Sequence, residues 1–179
     1  MKRLILTLAV VAATVLASLG VADATITWGT AQPVTGFSAL GATGGSVGQS
    51  IHCTTTGNCF SLGTYILNNG THAFKASETN GVWGAAEAIA SLDALAANGS
   101  VDFEAFGCSP QNTCIAGGEY YINGDLEGFV YDVSSNTAIA IPGLAALNLG
   151  HTALVRDVSC SSPGNCSVCL LYTSPSPRD

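Results

Sequence analysis

Six of the seven cysteines fall into three pairs with a single spacing, Cys53/Cys59, Cys108/Cys114 and Cys160/Cys166, each C-x5-C. Two chemistries suit such pairs. Oxidation within a pair needs Cα atoms that face each other at disulfide distance, as opposed positions of a β-hairpin do. The residues between the middle pair, Ser109-Pro110-Gln111-Asn112-Thr113, have turn composition. Zinc is the rival chemistry, but its ligand pairs usually stand about two to four residues apart and need two further ligands. The expectation is three short-range disulfides, each pinning one turn and contributing on the order of 2 kcal/mol locally.

The other reactive groups are weaker signals. Gly44-Gly45-Ser46-Val47-Gly48 fits the G-x-S-x-G nucleophile elbow, yet that motif requires a strand before the serine and a helix after it. Here a strand follows, and a glycine-rich turn is the better account. His52, His72 and His151 stand in no recognisable His/carboxylate motif and read as strand or loop surface. Asp102-x-Glu104 and Asp125-x-Glu127 each place their carboxylates on one face of an extended segment. Calcium needs about six to eight oxygens, so these pairs read as solvated strand edges. Asn69-Gly70-Thr71, Asn98-Gly99-Ser100 and Asn165-Cys166-Ser167 are formal glycosylation tripeptides that also suit ordinary turns. No catalytic, cofactor-binding or metal-binding residue is assigned.

The composition narrows the class. Of 179 residues 47% are hydrophobic and only 9% charged, against about 25% charged in an average soluble domain. Disorder needs the reverse balance. Five Lys and Arg against twelve Asp and Glu leave no cationic face for phosphates, so nucleic acid is excluded as a partner.

Both ends are set aside before the fold is read. Lys2 and Arg3, the apolar run from Leu4 to Val21 and the Ala22-Asp23-Ala24 site form a signal peptide, residues 1–24. Export follows, with no membrane insertion after cleavage; an uncleaved anchor is the alternative. No cysteine near the cleavage site offers a lipid anchor. Residues 169–179, from Cys169 to Asp179, match codon for codon one frame of a transposase-type sequencing adapter, and are expected to be an artefactual tail. Between them, residues 25–168 carry Lys75 and Arg156 against ten carboxylates.

An internal repeat organises that segment. Trp28-Gly29-Thr30-Ala31-Gln32 matches Trp83-Gly84-Ala85-Ala86-Glu87 at a shift of 55, and Cys53 and Cys108 each lie 25 residues after the tryptophan. Phe37-x-Ala39-Leu40, Leu92-x-Ala94-Leu95 and Leu144-x-Ala146-Leu147 each begin 16 residues before the first cysteine of a pair. Gly63, Tyr65 and Phe74 follow Cys59 at the offsets by which Gly118, Tyr120 and Phe129 follow Cys114. The period is 52 to 55 residues.

Each period reads as four short strands. In the middle copy they are Val101 to Cys108, Cys114 to Ile122, Gly128 to Val133 and Thr137 to Ile141, with the Asn123-Gly124 hairpin signal inside. The preceding copy gives Ser50 to Cys53, Cys59 to Ile66, His72 to Ser77 and Val82 to Ile89. Helix has little support; the alanine-rich stretch from Ala85 to Ala97 falls at strand four and the following connector.

Four antiparallel strands at a period near 50 is the pattern of a β-propeller blade. The chain resembles the BNR/kelch-type propeller repeats of secreted bacterial proteins, in the variety with a Cys pair in every blade. Ser77-Glu78-Thr79-Asn80-Gly81-Val82-Trp83 also resembles a degenerate Asp-box, the hairpin motif of sialidase-like propellers, without its aspartate. The fold class expected is therefore all-β: a partial β-propeller, truncated to the fourth strand of one blade, two complete blades and the start of a further one. Closure needs typically four to eight blades. A partial fan with an exposed apolar end face is expected, the natural protein continuing beyond Val168.

The resemblance implies a non-catalytic extracellular or cell-surface binding module whose partner is an unknown protein or glycan. Fold alone does not give function. The alternative is a fragment of a secreted sialidase-like carbohydrate-active hydrolase or lyase. By the family's pattern that activity needs an arginine cluster with a Tyr/Glu pair, and Arg156 is the one arginine between the two ends. A purely structural spacer is the third reading.

Overall fold

A computed structural model of the chain describes residues 29–97 and 99–174. The signal peptide, Trp28, Asn98 and the end of the adapter-like tail lie outside the described residues. Residues 32–174 belong to one compact unit.

The unit is a series of antiparallel meanders. The first sheet contains β1 (Ser46–Thr55), β2 (Asn58–Leu67), β3 (Gly70–Thr79), β4 (Val82–Trp83) and β5 (Glu87–Ala88). After helix α1 (Ala90–Leu95) comes the second sheet, β6 (Val101–Cys108), β7 (Cys114–Ile122), β8 (Asp125–Asp132) and β9 (Thr137–Ala140). Helix α2 (Leu144–Leu147) leads to the third sheet, β10 (Ala153–Ser162) and β11 (Asn165–Tyr172). Apart from these two short helices the described residues are all-β. The sheets do not close into a ring or barrel among the described residues. No helix among those residues is long and apolar enough to cross a membrane.

Local chemistry explains the turns. Asn80-Gly81 and Asn123-Gly124 both have positive φ at each residue, 50° and 81° and then 55° and 98°. This is the type I′ geometry that matches the twist of the flanking strands, and only Asn and Gly adopt it at low cost. The Asp-box-like segment is accordingly a hairpin, with Glu78 opposite Trp83 and Thr79 opposite Val82.

Two expectations need correction. The fourth strand drawn from Val82 to Ile89 is split into β4 and β5, because Gly84 N donates to Ser77 O and Ala86 N then turns away to donate to Thr35 O. The expected fourth strand of a preceding blade reduces, among the described residues, to that Thr35–Ala85 bridge. Helix, given little support by the sequence, is present in the connectors: Ala90–Leu95, within the alanine-rich stretch, is helical, and so is Leu144–Leu147. The repeated aromatic-or-Leu-x-Ala-Leu motif is thus a helical connector. In its first copy Leu40 N donates to Gly36 O at 3.3 Å and to Phe37 O at 3.2 Å, a single helical turn. Tertiary burial outweighed the strand pattern here. The first motif residue is driven under the sheet, with Leu92 and Leu144 fully or almost fully buried and Phe37 edge-on to Phe74 at 4.8 Å.

The main core lies between the first and second sheets. Leu62 and Ala73 from one, Phe103, Ala116, Phe129 and Tyr131 from the other, and Ile89 and Leu92 from the connector pack together. Phe103 and Phe129 meet edge to face at 5.6 Å. The Tyr131 hydroxyl donates to Asn136 Oδ1 at 2.6 Å, and burial first, then Asp132 and Glu87, push its pKa up to about 12. The third sheet approaches the second closely at glycine: a Cβ on Gly117 would stand 2.5 Å from the Val155 side chain.

Candidate functional site

The three expected disulfides are formed, Cys53–Cys59, Cys108–Cys114 and Cys160–Cys166. Each joins facing residues of the first hairpin in its sheet. The fourth residue after the first cysteine has positive φ in every copy, Gly57 at 71°, Asn112 at 62° and Gly164 at 74°. That shared turn sets the two cysteines opposite each other. The bonded sulfurs leave no thiolate in these pairs for zinc. His52 and the Cys108 and Cys114 sulfurs lie within 4.8 Å of one another, but both sulfurs are consumed by their mutual bond. Bonded disulfides agree with an oxidising compartment. Cys169 is the one free cysteine and is exposed.

A second repeated feature was not foreseen. In β1 the pairing runs Gly48 to Gly63 and then Ser50 to Leu62, so Gln49 is an extra, unpaired residue. The same break leaves Glu104 unpaired in β6 and Arg156 in β10. Gln49, Glu104 and Arg156 all stand four residues before the first cysteine of their pair. These are β-bulges, which re-aim a side chain out of the regular pleat. The glycine at the repeat's second-strand position now has a physical reason: a Cβ on Gly63 or Gly118 would overlap the carbonyl oxygen of Val47 or Asp102. In the third sheet Leu170 occupies that position.

The bulged side chains link neighbouring sheets. Gln49 Nε2 donates to Asp102 Oδ1. Arg156 Nη1 donates to Glu104 Oε2 at 2.7 Å, forming a charge-assisted pair. Asp102 and Glu104, expected to share one face, are thus engaged in opposite directions, because the bulge at Glu104 breaks the period-two alternation. Asp102 lies directly opposite Glu119 of β7. Burial raises the Glu119 pKa, the nearby Glu104 and Asp102 carboxylates raise it further, and Arg156 partly opposes them.

Next to this row lies an open groove of about 380 Å³ between the first and second sheets, lined by Gln49, Thr64, Ser100, Asp102, Glu119 and Tyr121 among others. It offers hydroxyls, carboxylates and an exposed phenol ring. Such a set recognises a polar ligand by hydrogen bonds, with the Tyr121 ring as a stacking face.

The remaining candidates are placed elsewhere. Ser46 of the G-x-S-x-G stretch opens β1 opposite Tyr65 and is exposed, so it is a strand residue rather than a turn or an elbow. His72 is buried rather than on the surface: its Nδ1 lies 2.7 Å from Asp93 Oδ1 and its Nε2 3.2 Å from Asn69 Oδ1. His151, exposed, lies with its Nδ1 2.7 Å from Asp125 Oδ1. Both His/carboxylate pairs exist only in space, with partners 21 and 26 residues away. His52 is half-buried between the sheets, its ring 5.7 Å from Phe60 and 5.9 Å from Phe106. The Asp125-x-Glu127 pair is not simply solvated either, since Glu127 Oε1 accepts a bond from Asn148 Nδ2 at 3.1 Å. Asn165 Nδ2 donates to Ser162 Oγ at 2.7 Å, holding its turn.

The chain matches no family model, no curated protein and no solved structure.

Proposed function

We propose that the chain is a secreted, non-catalytic binding module built from part of a BNR/kelch-like β-propeller, with an extracellular glycan as its ligand. The observation that carries this reading is the bulge row. Gln49, Glu104 and Arg156 share one repeat position on the first strand of three successive sheets. In a propeller the first strand of each blade lines the central channel, where a row of aimed polar side chains becomes a recognition surface. The adjoining groove supplies the hydroxyls, the Asp102 and Glu119 carboxylates and the Tyr121 ring that suit a polyhydroxylated ligand. Export rests on the N-terminal leader and agrees with three formed disulfides.

The test is a glycan panel screened against the purified chain, followed by titration calorimetry with Asp102→Asn and Tyr121→Ala. The reading expects at least one saturable glycan ligand that both changes weaken by about tenfold, the loss of one buried hydrogen bond or stacking contact. Binding that neither change alters would remove the groove as the site. Turnover of a panel member would favour the sialidase-like hydrolase instead.

A further inference from the structure

The groove beside the bulge row is walled by the first two sheets, with Gln49, Thr64 and Thr71 from β1, β2 and β3 and Asp102, Glu119 and Tyr121 from β6 and β7. Asp102 and Glu119 stand directly opposite each other on the β6–β7 ladder. Like charges so placed repel, and Glu104 adds to the field at Glu119. Arg156 is the one cation that opposes them, and its guanidinium is bonded to Glu104. Among the described residues no Lys, Arg or His lines the groove. Gln49 Nε2 donates to Asp102, whereas the Glu119 carboxylate accepts no hydrogen bond among the described residues. Thr64 holds the repeat position of Glu119 one sheet earlier, five residues after the second cysteine. It lines the groove while only 7% exposed, and its hydroxyl makes no hydrogen bond among the described residues. Buried polar groups are normally paired, so this hydroxyl marks a place for a ligand group.

We infer that the groove takes its glycan by an unsubstituted amino group, its ligand being an amino sugar that carries a free ammonium. This rests on the glycan reading of the groove and narrows it to one sugar chemistry. An ammonium has three donors and no acceptor. The Asp102 and Glu119 carboxylates and the Thr64 hydroxyl are three acceptors lining one groove. A cation between the two carboxylates turns a repulsive cross-strand pair into charge-assisted hydrogen bonds. It also offsets the penalty that burial and the neighbouring carboxylates place on ionised Glu119. The apolar face of the sugar ring falls to Tyr121, whose side chain is exposed. An N-acetylated unit brings no charge to this wall. An acidic sugar brings a further carboxylate to a groove without a lining cation, so both are selected against.

The probes are a β-1,4-linked tetramer of glucosamine and its fully N-acetylated counterpart, alike in ring, linkage and length, each titrated calorimetrically into the full chain. The amine tetramer is expected to saturate the chain and to bind at least about tenfold more tightly than the N-acetylated one. Glu119→Gln weakens the amine tetramer about tenfold, the loss of one charge-assisted hydrogen bond. Thr64→Val, which strips the hydroxyl and leaves no partner unpaired, weakens it by about threefold or more. The comparison of the two tetramers uses the unaltered chain, so a folding defect in a variant does not obscure the result. Equal or tighter binding of the N-acetylated tetramer, or of a sialylated oligosaccharide, overturns the inference and leaves the glycan reading intact. A lysine tetrapeptide that binds as tightly as the amine tetramer also overturns it, since charge alone is then read. If other glycans of the panel bind and the amine tetramer does not, this inference falls alone; if none binds, the glycan reading falls with it.

Discussion

Gly118→Ala puts the bulge argument at most risk. A Cβ at Gly118 would overlap the Asp102 carbonyl oxygen and reach Phe103 Cα at 3.0 Å. The first neighbour is backbone of the paired strand, so no rotamer change relieves the overlap. Either β6 moves away from β7 or the bulge at Glu104 is lost. Overpacking of this kind costs about 1–3 kcal/mol, and a forced shift of main chain belongs at the upper end. For a chain of this size about 3 kcal/mol lowers Tm by roughly 6–12 °C. The control is Gly45→Ala, where a Cβ meets nothing within 4 Å; it is neutral or stabilises by up to about 1 kcal/mol through the unfolded state. Urea unfolding followed by circular dichroism measures both. The bulge also predicts a rescue. Deleting Glu104 makes Phe103 and its successor pair with Gly118 and Gly117 without interruption. The alanine is then accommodated at the cost of the half-exposed Arg156–Glu104 pair, about 0–1 kcal/mol. A Gly118→Ala chain within about 0.5 kcal/mol of wild type, or no rescue by the deletion, refutes the reasoning.

Two further outcomes follow from the site and the cross-links. Replacing Cys108 and Cys114 together by serine costs on the order of 2 kcal/mol, with the loss of amide-exchange protection confined to the β6–β7 hairpin; before reduction, a thiol reagent labels one cysteine per chain, Cys169. Glu119 has a folded-state pKa above its ordinary 4.5. The folded state thus holds that proton more tightly, and the resulting stability is lost as pH rises through the raised pKa. Glu119→Gln therefore raises Tm at neutral pH, and thermal scans across pH show the gain shrinking as the pH falls through the raised pKa and gone below 4.5; a gain constant at all pH values would place the effect outside this carboxylate.

The sequence carried the repeat because local rules carry it. The C-x5-C spacing with its turn residues fixed the disulfides, Asn80-Gly81 and Asn123-Gly124 fixed two type I′ turns, and the alternating runs located β6 and β7 with their observed ends, Val101–Cys108 and Cys114–Ile122. The repeated Gly63/Gly118 and the Leu-x-Ala-Leu motif were visible as spacings without a cause. Tertiary structure supplied the cause, a bulge in one case and a buried helical turn in the other. A bulge is one residue of mismatch between two strands, and neither strand's own pattern records it. The same holds for the pairs that build the sites: Gln49 with Asp102, Arg156 with Glu104, His72 with Asp93 and His151 with Asp125 meet across 21 to 53 residues of chain. Hairpins are decided by neighbours in sequence, whereas the groove and the bulge row are decided by which sheets stack, and stacking depends on burial summed over the whole unit.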